Sequence, residues 1–199
     1  MPQKLILASG SSIRRQMLER AGVDFDVQVA RVDEEMIRDA LLVEQASPRD
    51  IADTLAEMKA RKISDKRPGA LVIGCDQVLS FDGRILSKPI SVDDARDQLR
   101  ALRGQRHQLL SAAVIVEDGQ PIWRHVGTVR LMMREFSDTF LDGYLSRNWP
   151  GIGDSVGAYK LEEEGVRLFS RVEGDYFTVL GMPLLELLSY LTLRGDLQQ

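Results

Sequence analysis

Lys4–Leu18 reads KLILASGSSIRRQML, and the rest of the chain is organised around it. Leu5-Ile6-Leu7-Ala8 is a short apolar strand running into a turn of small residues, Ser9-Gly10-Ser11-Ser12. A helix then begins with Arg14 and Arg15 in its first turn. Small residues let backbone N–H groups approach a ligand, and the free N–H groups of a helix N-terminus favour an anion. Arg14 and Arg15 would add charge-assisted hydrogen bonds to phosphate oxygens. The same residues also permit a plainer role, in which Ser11 or Ser12 only caps the helix and both arginines are solvated. Two cations at a helix N-terminus oppose the macrodipole, so an anionic partner is expected to compensate them.

The chain of 199 residues is long enough for a substantial core and suits a single domain, 1–199, or two closely joined lobes. It is 44% hydrophobic and 28% charged, the balance of an ordinary globular protein. A net charge of −4 with both signs interleaved argues against general affinity for nucleic acid or a membrane surface. Cys75 is the only cysteine, so no intramolecular disulfide framework forms and a reducing compartment is expected. The N-terminal residues lack a signal-peptide pattern and no apolar run would span a bilayer, which together give a cytoplasmic expectation. With His107, His125 and one cysteine, a structural zinc site is improbable; any metal would be a hard cation held by carboxylates and phosphate.

Beyond the opening helix, which Gly22 stops, Val23, Phe25, Val27 and Val29 alternate with polar residues and predict a half-buried strand. Asp33-Glu34 follows as an acidic pair, and Arg38–Ala46 reads as a loop or short helix. Ser47-Pro48-Arg49-Asp50 is a helix start; on the helix after it Ala52, Leu55, Ala56 and Ile63 share a face with Lys59. A lysine there either snorkels past the core edge or faces an anion in a cleft. Ala70–Cys75 is a continuous apolar run that predicts a central strand, terminated by Asp76, a position where ligands gather in α/β sheets.

Asp82-Gly83 between Gln77–Phe81 and Arg84–Ser87 predicts a hairpin that returns Lys88-Pro89 toward Asp76. Ser91 caps a helix ending at Gly104, and Gln108–Glu117 with Ile122–Met133 predicts a longer hairpin. His107 and His125, lying in or beside it without metal-spaced partners, are expected to be structural. Ser137 caps a short helix ended by Trp149-Pro150-Gly151. Gly157–Glu162 then reads as a loop entering a strand, and Pro183 as the first position of a leucine-rich helix to Leu193.

Several of these elements together resemble the Maf family of nucleoside triphosphate pyrophosphatases. Leu7-Ala8-Ser9-Gly10-Ser11-Ser12-Ile13-Arg14 is similar to its S-x-S-x-x-R signature. Asp33-Glu34, the lysine of Leu55–Ala60, Gly74-Cys75-Asp76-Gln77-Val78, Ser87-Lys88-Pro89, Gly157-Ala158-Tyr159, and Glu173-Gly174 with Gly181-Met182-Pro183-Leu184 follow in order. The resemblance implies an α/β fold, a mixed twisted sheet with flanking helices in two lobes around a deep cleft (Maf/ITPase-like), and a homodimer. It also implies cleavage between the α- and β-phosphates of a small-molecule nucleotide with a divalent cation, Mg²⁺ or Mn²⁺. By that likeness Ser9, Ser11 and Arg14 hold phosphates, and Lys59 and Lys88 neutralise their charge. Glu34 and Asp76 bind the cation, and Asp76 also orients or deprotonates the attacking water. An ordinary Asp pKa would make it a weak base, so that metal activation of the water matters more. Arg15 turns away from Arg14 at helical spacing.

Family members acting on dTTP and UTP commonly have Pro-Arg-Arg after the second signature serine, Thr after the aspartate, and Gln where this chain has Glu162. Ser12-Ile13-Arg14, Gln77 and Lys160-Leu161-Glu162 instead resemble the branch acting on 7-methyl-GTP, although that branch usually has proline at the position of Ser12. A carboxylate at Glu162 accepts two hydrogen bonds, matching the N1–H and N2–H₂ donors of guanine, and suits a cationic methylated base. Tyr159 and Trp149 are the candidate stacking aromatics. The alternatives are a dTTP/UTP pyrophosphatase of the same family and a non-catalytic nucleotide-binding regulator of cell division.

Overall fold

In the computed structural model, residues 3–198 are described, and they form seven strands and seven α-helices around one mixed sheet. The opening unit is as expected: strand β1 (Leu5–Leu7), then helix α1 (Ser12–Arg20), with Ser11 as N-cap accepting from the Arg14 amide. Strand β2 shrinks to Asp26–Val27 and lies at the sheet edge, pairing only with β1. Val27 and Val29 are exposed despite the alternation over 23–29, because β2 is only two residues long and ends the sheet. Arg38–Ala46 belongs largely to a regular helix, α2 (Glu34–Val43), capped by Asp33; it buries no residue fully but lays Ile37 and Leu41 on the core.

Helix α3 (Pro48–Ser64) starts at the expected cap, Ser47, and packs its apolar face on the sheet. Strand β3 (Leu71–Phe81) corrects an expectation: Asp76 lies mid-strand, not at its end. The run continues because β5 (Arg106–Glu117) pairs with β3 antiparallel from Leu71 to Ser80, through Asp76 opposite Ala112. Asp82 and Gly83, both at positive φ, turn β3 into β4 (Arg84–Leu86), and Asp118-Gly119 does the same between β5 and β6 (Gln120–Met133). The order is β2-β1-β3-β5-β6-β7, with β4 also on β3; β2, β1 and β3 are parallel and the rest antiparallel.

Helices α4 (Val92–Leu102) and α5 (Asp138–Asn148) keep their predicted caps. Gly157–Glu162 enters no strand. It leads into a 3₁₀ turn, Glu164–Leu168, and only then into β7 (Phe169–Glu173), because Gly165 packs its bare Cα against the Lys160 backbone and holds the chain in a tight coil. A short helix α6 (Tyr176–Val179) precedes α7 (Leu184–Arg194), of which Pro183 is the N-cap and not the first helical residue.

Strict side-chain alternation on β3 splits the core. Val72 and Val78 face α3, whereas Leu71, Ile73 and Cys75 face α1 and α7, with Leu184, Leu187 and Leu191 buried beneath them. Leu79, on this second face, joins a third cluster with α4 and α5. Cys75 is wholly buried, and burial pushes its thiol up to about 11, so it packs and does not react. Among the described residues, no helix is long and apolar enough to cross a membrane.

Candidate active site

The site exists because two strands stop short. β1 pairs with β3 only up to Leu7 opposite Ile73, and β4 rejoins the same edge only at Leu79. Between them β3 has no strand partner on that side, and Asp76 sits in this gap facing α3. The gap is partly filled by Arg14, whose Nη1 donates to the Cys75 carbonyl (3.2 Å) and the Ser9 hydroxyl (3.3 Å) while Nε donates to the Gly181 carbonyl (2.8 Å). The two cations are held differently: Arg14 donates to neutral oxygens, and the exposed Arg15 has an anionic partner within its own helix, Glu19 at 2.7 Å. Ser11 caps α1, yet its O–H remains a donor, so capping and ligand binding are compatible in one side chain.

Lys59 is buried on the inner face of α3, and its Nζ donates to Asp76 Oδ1 at 2.7 Å and lies 2.9 Å from Glu34 Oε1. It reaches Asp76 because α3 lies close on the sheet: a Cβ on Gly74 would stand 2.0 Å from the Ala56 carbonyl oxygen and 2.8 Å from the Ala60 nitrogen. Burial pushes the Asp76 carboxyl up from the usual range, opposed by Lys59 and Arg14. That corrects the expectation of an ordinary aspartate. Asp76 Oδ2 takes no hydrogen bond among the described residues.

One cavity of about 740 Å³ brings the sequence-assigned residues together: Ser9, Ser11, Arg14, Glu34, Lys59, Asp76, Lys88 and Glu162 all line it. Lys88 and Glu162 are exposed, at the rim. Tyr159 also lines the cavity, though its ring is buried and its hydroxyl meets His107 Nε2 at 2.7 Å. Trp149 does not line it; it packs in the α4–α5 core. Gln77 also lines the cavity, and its Nε2 donates toward Ser111 Oγ and the carbonyls of Thr178 and Val179, fixing the segment that carries Leu180 into the cavity wall. Both histidines are structural: His107 is buried with its pKa pushed down to about 4, and His125 stacks on Trp123.

Two carboxylates converging on one ammonium suit a hard divalent cation that completes its shell with water and phosphate oxygens. Among the described residues no cluster of three or more His, Cys, Asp or Glu forms an all-protein metal cage. Glu35, Arg38 and Lys160, which no sequence motif singles out for a role, also line the cavity. Arg38 was hidden because it lies four residues after Glu34 on a helix whose regularity is evident only in the structure.

Residues 4–193 match the family described as Maf-like protein. A protein of Roseobacter denitrificans named nucleoside triphosphate pyrophosphatase is 70% identical over 99% of both chains. One of Ruegeria pomeroyi with the same name is 67% identical over 98% of both. A Mesorhizobium japonicum protein named 7-methyl-GTP pyrophosphatase is 47% identical, again over 98% of both. With a match across nearly its whole length to the family, and relatives of this identity and coverage, the chain belongs to the Maf family.

Proposed function

We propose that residues 1–199 form one domain that acts as a nucleoside triphosphate pyrophosphatase, hydrolysing the α–β anhydride to a monophosphate and pyrophosphate, with 7-methyl-GTP as preferred substrate. The observation that carries the reaction is the buried Lys59–Asp76 pair, joined by the more exposed Glu34, beside the Ser9–Arg14 turn in one cavity. Hydrolysis of a phosphoanhydride requires held phosphates, neutralised charge and an oriented water. The hydroxyls of Ser9 and Ser11 and the amides opening α1 bind phosphate oxygens. Arg14 presents its Nη2, while its other nitrogens brace the turn against Cys75 and Gly181. Lys59 and Lys88 offset the charge that develops on the departing pyrophosphate. Glu34 and Asp76 would hold a divalent cation, which when bound supplies Lewis acidity and a more acidic water. Asp76, its carboxyl raised by burial, accepts the proton of the attacking water.

Glu162 carries the base assignment, as an exposed carboxylate on the cavity rim that accepts from the guanine N1–H and N2–H₂ edge and attracts a methylated, cationic ring. The 7-methyl-GTP pyrophosphatase of Mesorhizobium japonicum supports the same base. Pyrophosphate release with Mg²⁺ from 7-methyl-GTP, GTP, UTP and dTTP tests both levels. Fastest release from 7-methyl-GTP is expected. Faster release from UTP or dTTP would reject the base assignment, and no release from any of the four would reject the enzyme.

A further inference from the structure

The cavity's cations are unequally engaged. Lys59 bridges two carboxylates, Arg14 gives three hydrogen bonds to the protein, and Lys160 pairs with Asp154 at 3.1 Å. A triphosphate carries several negative charges, and these three side chains have few donors left for it. Two cations are less engaged: Lys88, exposed at the rim, and Arg38. Arg38 lines the cavity with a side chain only 21% exposed, although it sits on a helix that fully buries none of its residues. Its one ionic neighbour among the described residues is Asp39, 3.7 Å away and 63% exposed, a contact worth little in water. The placement follows from helical spacing: Glu34 and Arg38 are four residues apart on α2, so both project from the same face, and Glu34 already reaches Lys59 in the cavity.

We infer that Arg38 is a pyrophosphate-binding residue of this site, whose guanidinium grips the β- and γ-phosphates of the substrate from the α2 side of the cavity that the Ser9–Arg14 turn also lines. Planar N–H pairs match phosphate oxygens two at a time, which an ammonium does not do. The inference rests on the nucleotide-hydrolysis assignment above, but it can be tested apart from it. Calorimetric titration of inorganic pyrophosphate and tripolyphosphate into the full-length protein with Mg²⁺ reads the contact directly. Arg38→Ala is expected to weaken both by roughly 10- to 100-fold, the loss of one charge-assisted contact. Arg38→Lys should recover part of that loss. Asp39→Ala and Arg15→Ala, at exposed positions on the same two helices, should leave binding unchanged. In turnover assays Arg38→Ala should raise KM for the triphosphate by a similar factor and leave inhibition by the nucleoside monophosphate unaltered. Unchanged pyrophosphate binding in a folded Arg38→Ala protein, or equal loss in Asp39→Ala, would overturn the assignment. Absence of hydrolysis in the wild type together with an Arg38-dependent pyrophosphate site would instead overturn the enzyme and keep the site.

Discussion

Asp76 acquires its chemistry from two neighbours that the chain places far from it in sequence. Lys59, 17 residues earlier, neutralises it at 2.7 Å, and the end of β1 leaves it uncovered. Asp76→Asn keeps an oxygen for Lys59 and should fold with a melting temperature near the wild type. Its pyrophosphate release should fall by roughly 10²- to 10⁴-fold, the range for loss of a positioned base; wild-type turnover would remove Asp76 from the reaction. At Glu162, replacement by Gln adds donors and removes charge at the rim. The ratio of kcat/KM for 7-methyl-GTP over UTP should drop at least about tenfold, the scale of one charge-assisted hydrogen bond. An unmoved ratio would place base selection elsewhere.

At the scale of elements, the contact between α3 and β3 sets the site. Gly74 has no Cβ, and Ala56 and Ala60 are the small residues of α3 that meet it, so Lys59 is carried to within reach of Asp76. Gly74→Ala forces the helix outward and should cost about 1–3 kcal/mol in urea unfolding, the usual penalty for overpacking. Activity should fall further than stability explains, since Lys59 retreats with the helix. The helices with strong caps were legible in sequence: Ser11, Ser47, Ser91 and Ser137 each accept the expected amide. Alternation misled over 23–29 because a period of two reports amphipathicity without saying whether anything covers the apolar side. For α2 the opposite held: Ile37, Ala40 and Leu41 lie at helical spacing, but the apolar Met36, Leu42 and Val43 beside them stay exposed and blur the pattern.

For the whole molecule, acid is the revealing perturbation. His107 is enclosed by Tyr159 and Phe169, and burial holds its pKa near 4 against an ordinary 6.5. The unfolded chain therefore binds the proton first. The stabilisation is complete above pH 6.5, declines as pH falls through the 6.5 to 4 window, and is gone below it, amounting to about 3 kcal/mol. Glu164, held down at about 2 chiefly by Arg147 and Asn148, adds a second loss at lower pH, below 4.5. Urea midpoints measured from pH 7 to pH 4.5 should fall in the wild type and flatten in His107→Phe; parallel curves would show that His107 does not carry the effect.

The sequence by itself determined the α/β class, the two Asp-Gly hairpins and the capped helices, because caps and turns are local chemistry, and its likeness to the Maf family supplied the candidate residues Ser9, Ser11, Arg14, Glu34, Lys59, Asp76, Lys88 and Glu162. Only the tertiary structure decided that Asp76 lies mid-strand at a break in strand pairing, that Arg14 braces the backbone, that Trp149 is core, and that Arg38 faces the cavity. Those outcomes depend on where β1 stops and how closely α3 approaches the sheet. Both are set by contacts between residues distant in the chain, which no local pattern encodes.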